Sequence, residues 1–260
     1  MRRDERVFVI GDGVGVNNGA DEMTQRHLNE FDPRRVVQTH IAESGFTGVG
    51  IGAAMVGLRP VVEMMTFNLV MLALDQIVRT AATLYYVSGG QYNVPIVIRG
   101  RGDPVHQFAV QHSQSMERYF FNVPGLKVVC PSTPADAKGL LKSAIRDDNP
   151  VIFIESETLY SVKGEVPEDP DFTNPLGEAV VRRQGRDVTV VAYVGMAHCA
   201  MEAAKELEKD SISVEIVDPR TLRPMDEQTI LGSVRNSPGG RGRVGRRFRR
   251  LGLRDRLIHR

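Results

Sequence analysis

The chain has 260 residues, 42% of them hydrophobic, and a formal net charge of +1 at pH 7, a composition that supports a buried core and excludes an intrinsically disordered chain. Its two cysteines exclude a disulfide-stabilised scaffold and fit a reducing compartment. Since no apolar run reaches the roughly 20 residues of a membrane-spanning helix and the N-terminus lacks a signal-peptide pattern, we expect a protein of the bacterial cytoplasm or, alternatively, of a mitochondrial or plastid matrix.

Short apolar runs alternate with helical stretches along the first 158 residues. The predicted strands are residues 7–10, 35–39, 60–64, 94–99, 126–130 and 151–155. Their nearly continuous apolar character is typical of strands in a parallel sheet that is covered on both faces. Apolar residues at helical spacing predict a helix over 69–86, and Thr133 predicts the N-cap of a helix over 134–146. The pattern indicates an α/β fold, a three-layer α/β/α sandwich around a mostly parallel sheet.

A second and shorter α/β pattern follows a linker. Residues 159–176 contain three prolines and mixed charge, which is typical of a connection between domains. The next predicted elements are a strand over 188–194, a helix over 196–208, a strand over 214–217 and a helix over 226–234. We therefore expect a first domain over 1–158 and a truncated second α/β domain over 177–236.

The end of the chain differs from the rest in composition. Residues 236–260 contain nine arginines and one acid, so they carry a charge of +8 and the first 235 residues carry −7. Residues 237–260 show no clear strand pattern, and we expect them to be translated out of frame, with an authentic basic arm as the alternative. An Arg-rich tail can attract nucleic acid, but one with Phe248 as its single aromatic residue is not expected to bind it specifically.

Three segments next to predicted strands contain candidate functional residues. Residues 11–19, GDGVGVNNG, lack the third glycine of a dinucleotide-binding fingerprint, so they predict a turn. Glu43 lies in a short loop after the second predicted strand, just before a helix from Ser44 that is almost free of bulky side chains, at the sheet edge where open α/β folds bind ligands. It is either a catalytic carboxylate or a solvated loop acid. His112 lies in a polar loop and is a candidate proton shuttle, with His106 as a competitor.

A longer set of motifs points to a family. The strings ESGFTGVGIGAAMVGLRP, SGGQYNVPIVIRG, QHSQ and VDPRTLRPMD occur in the order in which that family has them. From about residue 5 to residue 235 the chain resembles the β subunit of the decarboxylating component of pyruvate dehydrogenase complexes, among the transketolase-like thiamine-diphosphate enzymes. The resemblance implies a pyrimidine-binding domain over 1–158, a truncated transketolase C-terminal-type domain over 177–236, and a native start upstream of Met1.

The resemblance also implies an activity and its partners. The family decarboxylates a 2-oxo acid oxidatively and acylates a lipoyl domain, and the motifs favour pyruvate. The β subunit is active only with an α subunit, in an α2β2 assembly that binds a lipoyl acyltransferase core. The two subunits share thiamine diphosphate, and the α subunit holds the magnesium ion. The alternatives are an acetoin or branched-chain 2-oxo acid dehydrogenase β subunit, or a truncated inactive subunit.

Residue by residue, the resemblance implies a site. Glu43 matches the essential glutamate, which hydrogen-bonds the pyrimidine ring of the cofactor, and His112 matches the histidine that assists acyl transfer. Met65 and Leu69 fall in the pyrimidine pocket, where Leu69 replaces a phenylalanine, and Asp12 stands in an acidic proton relay. The family's structural potassium site, made largely of backbone carbonyls, maps to Ile96, Ala144, Ile145, Asp147 and Asn149.

Overall fold

The computed structural model describes residues 1–15, 24, 27–102, 109–236 and 243–244. Contacts within the chain divide it into two units, the first Met1–Val128 with Leu141–Thr158 and the second Val129–Leu140 with Leu159–Arg260. The second unit thus includes Val129–Leu140, which the sequence-based boundaries place in the first domain. His106, residues 16–19 of the predicted turn and nearly all of the tail lie outside the described residues.

The apolar runs of the first unit form its sheet. Its strands are β1 (Val7–Asp12), β2 (Val36–Thr39), β3 (Arg59–Thr66), β4 (Val97–Arg101), β5 (Lys127–Val129) and β6 (Val151–Glu155). They lie in the order β5-β6-β4-β3-β1-β2, and the pairs β1–β2, β1–β3, β3–β4 and β4–β6 are parallel. Helices cover both sides, because strands with apolar side chains on both faces must be buried on both. The predicted fold class is confirmed.

The helices around this sheet are shorter than the sequence predicts. They are α1 (His27–Glu30), α2 (Glu43–Met55), a 3₁₀ helix (Phe67–Ala73), a π helix (Asp75–Ala81), α3 (Leu84–Val87), a 3₁₀ helix (Val110–His112) and α4 (Glu117–Phe120). The regular helix predicted over 69–86 is therefore wrong in form. The tighter turns of the 3₁₀ helix are followed by the wider turns of the π helix, and this succession keeps one face buried, which contains Val70, Ala73, Ile77 and Ala81.

The same helical region bears on membrane insertion. Among the described residues, no single helix is long and apolar enough to cross a membrane. Phe67–Ala73 and Asp75–Val87 meet the length and composition requirement only when taken together, and they are bent by 62° at the break between them.

The glycine-rich helix α2 packs closely on the sheet at one position. A Cβ added to Gly50 would lie 2.9 Å from Val62 Cγ2 and 3.2 Å from Ile96 Cδ1, whereas one added to Gly52 would meet nothing within 4 Å. Gly50 therefore permits the close approach of α2 to β3, while Gly52 faces away from the rest of the described chain.

The second unit has its own four-stranded sheet. Its strands are β7 (Val180–Arg183), β8 (Val188–Val191), β9 (Val214–Asp218) and β11 (Arg243–Val244), in the order β11-β8-β9-β7, and a further strand is β10 (Thr221–Arg223). Helices α6 (Gly195–Lys209) and α7 (Glu227–Asn236) accompany them. The core contains Ala204, Val214 and Ile216. The expectation that the tail forms no strand is wrong for Arg243–Val244, which pairs in parallel with the open edge of β8.

Helix α5 spans Pro134–Arg146, and the boundary between the two units falls within it, at Leu140. A short 3₁₀ helix, Glu157–Leu159, follows β6. The predicted N-cap of α5 is confirmed, because the Asp136 amide donates a 3.1 Å hydrogen bond to Thr133 Oγ1.

The motif VDPRTLRPMD contributes to a buried ionic cluster in the second unit. Asp218 is fully buried, and its Oδ2 lies 2.9 Å from Arg182 Nη2, which also pairs with the buried Asp136. Arg220 Nη1 lies 3.5 Å from Asp136 Oδ1, and Asn174 of the predicted linker donates to the same carboxylate at 3.2 Å. Burial raises the pKa of Asp218, and the charge of Arg182 opposes this shift. Two arginines and two aspartates balance in charge, and the linker is attached to this cluster through Asn174.

Candidate functional site

The predicted catalytic and cofactor-binding residues lie at or beyond the ends of four neighbouring parallel strands. Asp12 ends β1, Glu43 follows β2, Met65 lies near the end of β3, and His112 lies beyond the end of β4. In the sheet these strands have the order β4-β3-β1-β2. The carboxyl ends of neighbouring parallel strands meet at one edge, which is where ligands bind in open α/β sheets. This edge is the candidate site.

The Glu43 carboxyl group is buried and has no hydrogen-bond partner among the described residues. Glu43 is the first residue of α2 and is 5% exposed. No hydrogen bond or ion pair joins its side chain to another residue that the structure describes. The N-terminus of a helix stabilises a negative charge, but a buried carboxyl group without a partner costs free energy. Its position therefore suits a group that receives its hydrogen bond from a ligand.

Gln38 connects the ends of β1 and β2. Its Nε2 donates to Asp12 Oδ1 at 3.3 Å and to the Thr39 carbonyl at 2.9 Å. Its Oε1 accepts a 2.9 Å hydrogen bond from the Gly15 amide. Gln38 is not among the predicted site residues, whereas the structure makes it a side chain that hydrogen-bonds Asp12.

Met65 has a strained backbone at the centre of this edge. Its φ is 54°, in the left-handed region that non-glycine residues rarely adopt. The pairing of β3 with β4 is irregular between Glu63 and Thr66, so Met65 lies in a bulge. A Cβ added to Gly13 would meet Met65 Cε at 4.0 Å, which places the thioether beside the turn after β1. Strained residues of this kind concentrate at functional sites.

The loop that contains His112 is attached to the end of β3. His112 Nδ1 lies 3.1 Å from Thr66 Oγ1, and Asn68 Nδ2 donates to Gln114 Oε1 at 3.2 Å. These bonds bring the predicted histidine to the candidate site. Glu43 and Leu69 share the same edge by their place in the fold, and Leu69 is half-buried in the 3₁₀ helix after β3.

Several buried polar atoms near this edge have no hydrogen-bond partner among the described residues. They are Thr39 Oγ1, Asn68 Oδ1 and Ser113 Oγ. Buried polar atoms are usually paired, and unpaired ones raise the question of a missing ligand or water. Together with Glu43 they are hydrogen-bonding groups near this edge that no described residue satisfies.

The residues of the expected potassium site lie at the opposite edge of the sheet. Arg59 Nη1 donates to the carbonyls of Ile145 and Asp147, at 2.9 and 3.0 Å. The carbonyls of Ile96 and Ala144 accept hydrogen bonds from the amides of Val151 and Asp147. Each of these four carbonyl oxygens keeps a second lone pair, which could coordinate a monovalent cation. Such a cation would lie next to the positively charged guanidinium of Arg59. The sequence did not single out Arg59. Asn149 also lines a cavity of about 290 Å³.

The part of the chain that the structure describes contains no group of three or more His, Cys, Asp and Glu side chains that could hold a metal ion.

Three buried charged residues near the site were not predicted. Glu63 on β3 and Glu155 on β6 flank Arg99 on β4, and all three side chains are at most 8% exposed. Arg99 Nη1 lies 3.0 Å from Glu63 Oε2, and Arg99 also pairs with Glu155. Burial raises the pKa of Glu63 to about 7, against the lowering effect of Arg99. A signal was present, because Glu63 interrupts an apolar strand run and Arg99 and Glu155 stand at the ends of two others.

Comparison with known families agrees with this geometry. The family model "Transketolase, pyrimidine binding domain" matches residues 1–163, and "Transketolase, C-terminal domain" matches residues 177–238. A solved structure, "Split gene transketolase, inactive beta4 tetramer", is similar with a TM-score of 0.71 and 22% identity. The match covers 91% of this chain and 72% of the transketolase chain. At this sequence identity the similarity supports the fold alone.

Similar proteins include subunits of 2-oxo acid dehydrogenases. The chain is 53% identical to the pyruvate dehydrogenase E1 component subunit beta of Rhizobium meliloti, over 91% of this chain and 52% of that one. It is 45% identical to the mitochondrial subunit of the same name from Dictyostelium discoideum, over 91% and 67%. It is 48% identical to the 2-oxoisovalerate dehydrogenase subunit beta of Bacillus subtilis, over 89% and 71%. The chain therefore spans about half of the first relative and about two thirds of the others.

Proposed function

Because the chain belongs to the transketolase-like family of 2-oxo acid dehydrogenase β subunits, we propose that it serves as the β subunit of a thiamine-diphosphate-dependent 2-oxo acid dehydrogenase that acts on pyruvate. The observation that carries this proposal is the buried Glu43 carboxyl group, without a protein partner among the described residues, at the carboxyl edge of a parallel sheet. Two of the three relatives are named as pyruvate dehydrogenase subunits, which supports pyruvate.

The residues at this edge fit the aminopyrimidine ring of the cofactor. Glu43 would hydrogen-bond a ring nitrogen, and the half-buried Met65 and Leu69 would form apolar walls. The unpaired oxygens of Thr39, Asn68 and Ser113 supply further acceptors and donors. When bound, thiamine diphosphate supplies the carbon nucleophile and the electron sink for decarboxylation, while the protein supplies orientation.

The chain's own residues would hold and move protons. Glu43 would hold a proton at the pyrimidine nitrogen, away from bulk water because the helix and sheet bury it. Asp12, oriented by Gln38, would be the second acidic residue of a proton relay that continues into the partner subunit. His112, whose ring is fixed by Thr66, would transfer a proton during acyl transfer to a lipoyl arm. Proton transfer by a positioned side chain is typically worth about 10²–10⁴ in rate.

The remaining parts of the proposal concern partners and ions. An α subunit would hold the diphosphate and its magnesium ion in an α2β2 assembly, which would in turn bind a lipoyl acyltransferase core. Potassium would bind at Ile96, Ala144, Ile145, Asp147 and Asn149, beside Arg59. Relatives from bacteria and from a mitochondrion support a bacterial cytoplasm or an organellar matrix as the location.

The experiment is reconstitution. The full chain is co-purified with a matching α subunit and assayed with pyruvate, thiamine diphosphate, magnesium and an artificial electron acceptor. We expect activity from the mixture and none from either chain alone. A chain that binds the α subunit but yields no thiamine-dependent decarboxylation would contradict the proposal and favour a truncated, inactive subunit.

A second substrate class has its own support. The relative from Bacillus subtilis is named for 2-oxoisovalerate, so a branched-chain 2-oxo acid is the alternative substrate, with acetoin as a third. A comparison of kcat/KM for pyruvate, 2-oxoisovalerate and acetoin in the reconstituted complex separates them. Pyruvate is expected to have the highest value.

A further inference from the structure

Gln38 joins three segments at the carboxyl edge of the first sheet. It lies in β2, one residue before Thr39, which is the register partner of Asp12 at the end of β1. Its side chain makes hydrogen bonds with Asp12, with Gly15 in the turn after β1, and with the Thr39 backbone. A single side chain therefore connects the candidate acid to the backbone on either side of it.

The partners of Gln38 determine which end of its amide is the oxygen. The Gly15 backbone amide can only donate, so the atom 2.9 Å from it must be the carbonyl oxygen Oε1. The Thr39 carbonyl can only accept, so the atom 2.9 Å from it must be the nitrogen Nε2. A flipped amide would bring two donors together at Gly15 and two acceptors together at Thr39. The network thus fixes the orientation of the amide.

This orientation determines the role of one Asp12 oxygen. The nitrogen Nε2 has two hydrogens, of which one is donated to the Thr39 carbonyl and the other to Asp12 Oδ1 at 3.3 Å. Oδ1 must accept this hydrogen bond whether or not the carboxyl group is ionised. When Asp12 carries a proton, the proton must therefore be on Oδ2, because an O–H at Oδ1 would face the N–H of Gln38.

The turn after β1 is held at a second point. Gly13 has a φ of 73°, in the left-handed region that glycine adopts readily, and the Val14 carbonyl accepts a 2.7 Å hydrogen bond from Thr24 Oγ1. Gly15 lies so near β2 that a Cβ added to it would lie 3.4 Å from Gln38 Cβ. Because Thr24 also supports the turn, loss of the Gln38 side chain should loosen the turn at Gly15 without unfolding the chain.

We propose that Gln38 is a positioning residue for Asp12, which occupies Oδ1 with a donated hydrogen bond and leaves Oδ2 as the oxygen that gains and loses a proton at this edge. The importance of that proton for catalysis rests on the proposed function, whereas the orientation of the carboxyl group does not. The amide of Gln38 neither gains nor loses a proton near neutral pH, so it acts through Asp12.

The hydrogen bond to Asp12 is tested in the full chain by NMR of the Gln38 side-chain amide, whose signals are identified by their loss in Gln38→Glu. A proton donated to a carboxylate resonates further downfield than one donated to an amide oxygen, because the charged acceptor forms the stronger bond. In Asp12→Asn at pH 7, one Nε2 proton should move upfield, and the proton donated to the Thr39 carbonyl should keep its position. If neither proton moves, the proposal fails.

Two variants of Gln38 separate its hold on the turn from its hold on Asp12. Gln38→Glu keeps an acceptor oxygen for the Gly15 amide but, when ionised, has no hydrogen to donate to Asp12, and Gln38→Met has neither. Hydrogen exchange of the Gly15 amide should be unchanged in Gln38→Glu and about tenfold faster in Gln38→Met, which loses one hydrogen bond. Gln91→Met, at an exposed glutamine before β4, is the control and should leave this exchange unchanged. A Gly15 amide that exchanges at the unmodified rate in Gln38→Met would overturn the proposal.

The catalytic consequence is measured in the reconstituted complex, as the pH profile of kcat for thiamine-dependent decarboxylation relative to the unmodified complex. In Gln38→Glu we expect kcat to be about tenfold lower at pH 8, where two carboxylates face each other, and to recover to within about threefold near pH 5.5. The recovery is expected because a proton shared between the two carboxyl groups restores a hydrogen bond. Gln38→Met should have a lower kcat without this recovery.

The outcomes distinguish the positioning role from the proposed function. If the unmodified complex is inactive, the proposed function fails, while the NMR signals of Gln38 and the exchange of the Gly15 amide still decide how Asp12 is oriented. If the complex is active and Gln38→Glu has the pH profile of the unmodified complex, the positioning role fails. An equal and pH-independent loss in Gln38→Glu and Gln38→Met would also exclude it, because such a loss indicates a general structural effect.

Discussion

Thr66 Oγ1 lies 3.1 Å from His112 Nδ1, and this contact joins the end of β3 to the loop that follows β4. The ring orientation of a catalytic histidine is usually set by the partner of its other nitrogen. Thr66 therefore fixes which face and which nitrogen of His112 a substrate would meet.

Replacing Thr66 should change the orientation of the His112 ring while leaving the histidine itself in place. In Thr66→Val the hydroxyl is lost while the shape is nearly kept, and we expect lipoyl acylation to fall about 10- to 100-fold, within the range for general acid–base catalysis. Single-turnover acylation of a lipoyl domain measures it. Thr66→Ser keeps the hydroxyl and should stay within a few-fold of the unmodified complex. Equal activity of the valine and serine variants would exclude the orienting role.

Glu63 predicts a pH dependence of stability. Its pKa in the folded chain is about 7, above the ordinary value of 4.5. The folded state therefore holds a proton that the unfolded chain releases between pH 4.5 and 7. Stability from this group is present below that window and is lost as pH rises through it, by on the order of 1 kcal/mol for each pH unit.

Urea unfolding from pH 4.5 to 8 measures this effect. The difference in unfolding free energy between the unmodified chain and Glu63→Gln should decline up to about pH 7 and then level off. A difference that stays constant over the whole range would show that Glu63 does not titrate there.

The packing of α2 on β3 predicts opposite effects at two glycines. In Gly50→Ala the new methyl group would lie 2.9 Å from Val62 Cγ2, so we expect destabilisation of about 1–3 kcal/mol, as for other overpacked cores. In Gly52→Ala the methyl group meets nothing within 4 Å, and the higher helix propensity of alanine should stabilise the isolated chain by up to about 1 kcal/mol. Denaturant midpoints compare the two, and similar effects would contradict the packing described for α2.

The ionic cluster of the second unit predicts a large loss from one substitution. Arg182→Met would leave the carboxylates of Asp136 and Asp218 in a buried site without their main partner. Breaking a buried pair in this way typically costs about 3–5 kcal/mol. Lys205→Met, which removes an exposed pair with Glu202, should change the unfolding free energy by no more than about 1 kcal/mol. Thermal unfolding of both variants provides the comparison.

Much of the fold could be predicted because its signals are local. Continuous apolar runs identified the strands of the first sheet, and Thr133 identified the start of α5. The irregular helices over Phe67–Ala73 and Asp75–Ala81 could not be predicted, because tertiary packing of their apolar residues decides the type of turn. The short strand Arg243–Val244 depends on the open edge of β8, which composition does not reveal.

The candidate site was only partly visible in the sequence. Glu43 and His112 were predicted from their motifs, and the placement of both near one sheet edge follows from the parallel strand order. The left-handed backbone of Met65 and the hydrogen bond from Gln38 to Asp12 depend on contacts between distant segments. Glu63 and Arg99 were visible as charges inside apolar strands, but their pairing required the register of β3 and β4.

Glu43 is proposed to activate thiamine diphosphate bound at this edge. The most direct measurement is the rate of hydrogen–deuterium exchange at the reacting carbon of thiamine diphosphate in the complex with an α subunit, by rapid quench and NMR. Glu43→Gln should slow this exchange by about 10²–10⁴, whereas Glu227→Gln, at an exposed glutamate that also begins a helix, should leave it unchanged. An exchange rate in Glu43→Gln equal to that of the unmodified complex would contradict the proposed role of Glu43.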